Sequence, residues 1–372
     1  MKICYILTRS DTIGGVQIHV KNFSEMMNEK MHEAHILVGG KGPYYEQLVN
    51  EGHNVYSINF LRKEINPIYD FIALIELIIC LRKIKPEIVS THSSKAGVLG
   101  RLACRILTIP VIFTAHGWAF TEGVSSLKQF FYSKIEGLMA IITDRIITVS
   151  NYDLELALQK EIAQNHKMRC VHNGMPEISD QYLSDMDSEK IKICMVARFD
   201  LQKDHATLLS SLSEIKHLNW ELDFLGDGPL LDSMKKYAKE NEIQDRVNFL
   251  GQISDVESYL SKSQIFTLIS NWEGLPRSII EAMRSGLPII ASDVAGVSEL
   301  VKDGINGYLI PRKDIKTLTK RLESMIRDEE QRLNMAKQSR KKYKEGFTME
   351  KTFEKTFELY IQAIESNRKR SL

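Results

Sequence analysis

Twice in this chain a short apolar strand runs into a polar loop and then a helix, and that repetition limits the fold more than any other feature. Lys2-Ile3-Cys4-Tyr5-Ile6-Leu7 precedes a loop with Gly14-Gly15, and residues 16–27 follow with helical spacing. Near residue 192 the order recurs: Lys192-Ile193-Cys194-Met195-Val196-Ala197, a polar loop with Arg198 and Lys203, then a helical pattern over 206–215. The shared Lys-Ile-Cys is chance. The shared order of elements is the opening unit of a parallel α/β domain, present twice.

The alternation continues after each start. Residues 34–38, 54–58, 88–91, 111–115 and 146–149 read as strands in the first half, and 221–225, 247–250, 265–269, 289–291 and 307–310 in the second. With 372 residues, the chain exceeds one typical core and suits two domains. The expected division is an N-terminal domain over 1–174, a polar, acidic linker over 175–190, and a C-terminal domain over 191–347. A charged helical end over 348–372 completes it. Two doubly wound domains place their ligand loops at the carboxyl ends of the strands.

Composition narrows the function. Hydrophobic content of 43% and charged content of 26% belong to a soluble globular protein. A net charge of +1 leaves no strongly basic domain for nucleic acid. Five cysteines without a CxxC pair fit buried thiols in a reducing, cytoplasmic compartment. The start resembles no signal peptide, and the apolar stretch 71–81 is interrupted by Glu76 and too short to span a bilayer.

Several loops carry chemistry. Glycines at 14 and 15 let backbone approach a phosphate or sugar, or simply make a turn; no GxGxxG fingerprint follows any strand, which disfavours a nicotinamide enzyme. Arg198 and Lys203 either converge on a diphosphate or are solvated charges. Gly226-Asp227-Gly228-Pro229 supplies a tight turn, and Gly251-Gln252-Ile253 would border a base through main-chain groups. His116 follows a strand of the first domain and is either structural or catalytic. Residues 273–281, Glu-Gly-Leu-Pro-Arg-Ser-Ile-Ile-Glu, set two carboxylates where a loop turns into a helix with Pro276 in its first turn. A helix N-terminus holds an anion, whereas carboxylates accept hydrogen bonds from vicinal hydroxyls. Together they fit a phosphate with a polyol at each end, which describes a nucleotide sugar; a solvated Glu273 and an arginine-paired Glu281 is the plainer reading.

Taken in order, Gly14-Gly15, Ala115-His116-Gly117, His172-Asn173-Gly174, Arg198 with Lys203, Gly226-Asp227-Gly228-Pro229 and the Glu273/Glu281 pair resemble the retaining GT-B glycosyltransferases of family 4 over nearly the whole chain. Glu273-Gly274-Leu275-Pro276, Asp293-Val294-Ala295-Gly296 and Asp303-Gly304-Ile305-Asn306-Gly307 are similar to the bacterial surface-polysaccharide members. The resemblance implies an α/β fold of two Rossmann-like domains facing a central cleft. It implies that Glu281 binds the ribose hydroxyls and Glu273 the donor sugar. Arg198 and Lys203 would hold the diphosphate, with Gly274, Leu275 and the amides of Arg277 and Ser278 at the helix N-terminus. Gly14 and Gly15 would approach the diphosphate, His116 the sugar near its C6 side, and Gly226, Gly228 and Ile253 the rest of the donor. The final helix would pack on the first domain.

The implied activity is retaining transfer of a hexose or N-acetylhexosamine from a UDP-sugar to a glycan or polyprenyl-diphosphate-linked acceptor, in capsule, exopolysaccharide or O-antigen synthesis. No metal or other cofactor is expected, as the resemblance implies. An epimerase-like enzyme acting on the nucleotide sugar alone is the alternative. Phe120, Phe130, Phe131 and Tyr132 with Lys128 and Lys134, together with the helix over 68–84, would touch the inner face of the cell membrane; an ordinary core face is the competing reading.

Overall fold

The computed structural model describes residues 1–370. These fall into two compact units, 1–173 together with the segment from Met349 onward, and 174–348.

The first unit holds seven parallel strands: β1 (Lys2–Leu7), β2 (Glu33–Gly39), β3 (Asn54–Ile58), β4 (Ile88–His92), β5 (Val111–Ala115), β6 (Arg145–Thr148) and β7 (Met168–Cys170). They lie in the order β3-β2-β1-β4-β5-β6-β7. Strand β1 shows why both sheet faces are covered. Ile3, Tyr5 and Leu7 point to one face, where Val20 and Phe23 of the helix Gly15–Glu29 and Phe353, Tyr360 and Ala363 of the helix Met349–Arg370 pack. Cys4 and Ile6 point to the other, under Leu77 and Leu81 of the helix Pro67–Ile84 and Ala103 of the helix Ser94–Leu107. The period of two forces this division, and each fully buried Ile, Leu or Phe stabilises by about 1.5–3 kcal/mol. The edge strand β7 was not expected from sequence: its three residues, one of them a charged arginine, carry no alternation.

The second unit holds six parallel strands: β8 (Ile191–Val196), β9 (Trp220–Leu225), β10 (Val247–Phe249), β11 (Ile265–Leu268), β12 (Ile289–Ser292) and β13 (Gly307–Ile310). Their order is β10-β9-β8-β11-β12-β13. The stretch 175–190, expected as a linker, is instead bonded into this unit. Ser184 N–H donates to Ser285 O at 2.8 Å, Asp185 N–H to Ser261 O at 2.9 Å, and Tyr343 Oη to Met175 O at 3.0 Å. Hydrogen bonds to its backbone hold it along with the buried Met175 and Ile178, two apolar residues that are too few to mark a hydrophobic period. All five cysteines are free thiols, and burial raises the pKa of Cys4, Cys104 and Cys194.

Candidate active site

In the second unit the strand order reverses between β8 and β11, where a doubly wound sheet opens a crevice at its carboxyl ends. The loops leaving these two strands are joined along their backbones. Lys203 and Ser270 form a β-bridge, Asp204 N–H donates to Ile269 O at 2.9 Å, and Asn271 N–H donates to Gln202 O at 2.8 Å. This seam delivers three donors to one carboxylate. Lys203 Nζ and Ser270 Oγ (2.6 Å) both reach Glu273 Oε1, and Gln202 Nε2 reaches Oε2 at 3.2 Å. Glu273 is only 7% exposed, and a buried charge requires such partners.

Lys203 is thus committed first to Glu273, though an ammonium has three protons to give. Arg198 behaves differently. Its guanidinium is 77% exposed, with Asp200 its nearest carboxylate at 4.0 Å. Of the two cations, only Arg198 remains uncommitted to a buried partner.

Glu281 lies on the helix Arg277–Arg284, one turn beyond Arg277. Burial raises its carboxyl above the usual range, while Arg277 and Arg284 pull it back. Burial also lowers the Arg277 guanidinium, whose Nη1 is buried without a hydrogen-bond partner. Pro276 stands one position earlier than expected, as the N-cap (φ −69°, ψ 118°), and no side chain caps this end. The amides of Arg277 and Ser278 therefore open the helix, with Ser278 half-buried and Leu275 buried beside them. Gly274 O accepts from Gly296 N–H at 3.2 Å, which fixes the loop. Ile253 is half-buried in the loop after β10, two strands from the reversal.

Gly226 and Gly228 serve a purpose that sequence did not suggest. A Cβ on Gly226 (φ +151°) would meet Ala197 O at 1.9 Å, and one on Gly228 (φ +157°) would meet Phe199 O at 2.5 Å. Both glycines let this turn pack against the Arg198 loop of the same unit, sealed by Phe199 N–H donating to Asp227 O at 3.1 Å.

In the first unit the order reverses between β1 and β4. Gly14 is the N-cap of the helix Gly15–Glu29 with an unstrained φ of −126°, so nothing local demands glycine there. At the strand ends stand imidazoles. His92 Nδ1 is 2.9 Å from His116 Nε2, and His92 Nε2 is 3.1 Å from Ser90 Oγ. His19 meets the His116 ring edge-on at 5.0 Å. Burial first, then His116, holds His92 well below the usual histidine range, so it is neutral at pH 7. The three rings bring nitrogens within 4.8 Å of one another, a donor set that suits a divalent metal. The direct hydrogen bond already engages a nitrogen of His92 and one of His116.

Residues 13–177 match the family described as Glycosyltransferase Family 4, and residues 179–342 match Glycosyl transferases group 1. The UDP-Gal:alpha-D-GlcNAc-diphosphoundecaprenol alpha-1,3-galactosyltransferase of Escherichia coli is 30% identical over 369 residues, covering 95% of each chain. The chain belongs to glycosyltransferase family 4. The O-antigen biosynthesis glycosyltransferase WbnH of Escherichia coli is 28% identical over 82% of this chain and 85% of its own. Anabaena Alr3699/HepE in complex with UDP superimposes with a TM-score of 0.83 at 16% identity, over 96% of this chain and 99% of that one. The fold is α/β GT-B, built from two Rossmann-like parallel-sheet units.

Within the glycosyltransferase, Lys203 and Glu273 meet directly, and Arg277 and Glu281 share a helix face. Gln202, Ser270, His92 and His19 are additions that sequence reasoning missed. Ser270 directly follows the expected strand 265–269, and His92 directly follows the expected strand 88–91 and is the last residue of β4.

Proposed function

We propose that this glycosyltransferase moves a hexose or N-acetylhexosamine from a UDP-sugar, with retention, to a hydroxyl of a lipid-linked glycan in surface-polysaccharide synthesis. The observation that carries the reading is Glu273: a buried carboxylate with three hydrogen-bond donors at the strand-order reversal, three residues ahead of the N-cap Pro276 of an uncapped helix. Its orientation is set by Lys203, Ser270 and Gln202, as a group that must hold sugar hydroxyls requires. Support for the donor and acceptor comes from relatives whose names specify UDP-Gal, an undecaprenol-diphosphate acceptor and O-antigen synthesis.

In this reading Arg198, the remaining protons of Lys203 and the amides of Arg277 and Ser278 stabilise the departing diphosphate without a metal. Glu281 takes the ribose hydroxyls. The bond from the anomeric carbon to the phosphate oxygen breaks, and that carbon bonds the acceptor oxygen on the same face. The leaving phosphate takes the acceptor proton.

Catalysis takes place at the cytoplasmic face of the membrane, with peripheral contact. Among the described residues no helix is long and apolar enough to cross a bilayer. Phe130 and Phe131 are each 56% exposed, and Ile68, Phe71 and Ile79 stand out from the helix Pro67–Ile84. Phe120, by contrast, is core, stacked on Trp118 at 5.0 Å.

The test is a panel of UDP- and GDP-sugars with undecaprenyl-diphosphate-linked acceptors in the presence of EDTA, scored for nucleotide release and for the product's anomeric configuration. A UDP-sugar should support transfer with retention. An inverted product, or activity restored only by added metal, would refute the corresponding part.

A further inference from the structure

Three imidazoles meet at the carboxyl ends of the N-terminal sheet, each on or beside a regular element. His92 ends β4, His116 directly follows β5, and His19 stands in the second turn of the helix Gly15–Glu29. Strands β4 and β5 are paired with His92 opposite Thr114, so His92 and His116 are held in fixed register. The ring centroids lie 5.0 Å (His19 to His116), 5.2 Å (His92 to His116) and 5.9 Å (His19 to His92) apart. One nitrogen from each ring falls within 4.8 Å of the other two.

A tetrahedral zinc ion holds imidazole nitrogens at about 2.0–2.1 Å, which sets neighbouring nitrogens about 3.3–3.4 Å from one another. His92 Nδ1 and His116 Nε2 are 2.9 Å apart around one shared proton. Replacing that proton by a metal opens the pair by only about 0.4–0.5 Å. The atom behind His92 suits the exchange. Ser90 Oγ, on a fully buried residue, lies 3.1 Å from His92 Nε2. A hydroxyl accepts as readily as it donates, so Ser90 can hold a proton on Nε2 and leave the Nδ1 lone pair for the metal. His116 then keeps its proton on Nδ1 and offers Nε2. Three neutral imidazoles with a fourth position open make a recognised zinc-binding set. His116 also lines a cavity of about 240 Å³ at the end of β5, which gives the ion an entry and a water ligand room.

A second cluster in the same unit shows what a filled site looks like. Glu25, Glu51 and His53 also bring donor atoms within 4.8 Å of one another. There Lys21 Nζ already stands 2.8 Å from Glu51 Oε2 and 3.6 Å from Glu25 Oε1, a cation of the protein's own.

We propose that His19, His92 and His116 form an inhibitory site for a borderline-soft divalent metal, zinc above all. Imidazole suits zinc, copper and nickel, whereas magnesium and calcium take oxygen ligands. The ion is no cofactor of transfer: it ties up His116 Nε2, and this block rests on the reading of the chain as a UDP-sugar transferase with His116 at the donor sugar.

Calorimetry on the full chain, cleared of metal with EDTA and titrated with zinc chloride, should show one zinc ion per chain with micromolar affinity; magnesium chloride should give no heat. His19→Gln and His92→Gln should each weaken zinc binding about tenfold or more, and His53→Gln, from the second cluster, should not change it. Cobalt chloride on the native chain reads the geometry directly, since a tetrahedral site gives intense visible bands and an octahedral surface site weak ones. One equivalent of zinc should cut UDP-sugar turnover about tenfold or more, with EDTA restoring it. Magnesium at the same concentration controls for chelation by the nucleotide. Absent zinc binding, binding that persists in both folded variants, or weak cobalt bands would each overturn the site, the last even if neither variant folds. Bound zinc that leaves turnover unchanged would overturn the block. A native chain that transfers no sugar yet binds zinc through His19 and His92 would keep the site and remove the UDP-sugar reading.

Discussion

The two units meet the same topological requirement with opposite chemistry. At its strand-order reversal the C-terminal unit places charges: Glu273 held by Lys203, exposed Arg198, and Glu281 near Arg277. The N-terminal unit places imidazoles, of which the buried His92 is neutral. One reversal carries a buried ion pair and an exposed guanidinium, the other packed imidazoles. A matching strand order around the reversal therefore does not dictate electrostatics; the side chains placed at the strand ends and in the loops and helices after them do.

The largest expected effect comes from breaking the charged side. Glu273→Gln should keep the fold and lower kcat by at least 100-fold, with UDP affinity changed less than fivefold by calorimetry. Equal loss of both would remove the sugar-contact role. Glu273→Ala should in addition destabilise the C-terminal unit by about 3–5 kcal/mol, because it strands the Lys203 ammonium, read as a shift in denaturant midpoint. Arg198→Ala should lower kcat about 10- to 100-fold without moving Tm, since its guanidinium is exposed and makes no buried pair.

A smaller effect sharpens the neutral side. His92 is held well below the usual histidine range, and His205, buried against Phe199 in the other unit, is lowered to about 4. Below a pH of about 6.5 the unfolded chain binds protons that the folded chain refuses, so stability must fall as pH falls. For His205 the loss runs from about 6.5 down to about 4, at about 1.4 kcal/mol per pH unit. Urea titrations between pH 7 and 4.5 measure it, and His205→Phe should flatten the slope. The smallest effect is on association: Phe130→Ser with Phe131→Ser should reduce co-sedimentation with anionic liposomes several-fold and leave kcat on a soluble acceptor unchanged.

Much of this was legible from residue order. Buried parallel strands are near-continuous apolar runs, so β1, β8 and β11 announce themselves, and a glutamate just after β11 stands out. The partners of that glutamate were not legible. Spacing shows no contact between Lys203 and Glu273; the seam between loops 70 residues apart depends on backbone pairing that leaves no pattern. The same blindness hid the reason for Gly226 and Gly228, which lies in carbonyls of another loop. Arg101 and Glu136, 35 residues apart on separate helices, form a buried pair that no sequence spacing marks.

The helix Met349–Arg370 has a consequence for biosynthesis. Phe353, Tyr360 and Ala363 complete the core of the first unit, yet they are translated after all of 174–348. At about 5–20 residues per second, the ribosome needs roughly 10–35 s to bridge that interval. For that time the nascent first unit presents an uncovered apolar sheet face, while the second, contiguous unit can close as soon as it emerges. The half made first is the half finished last.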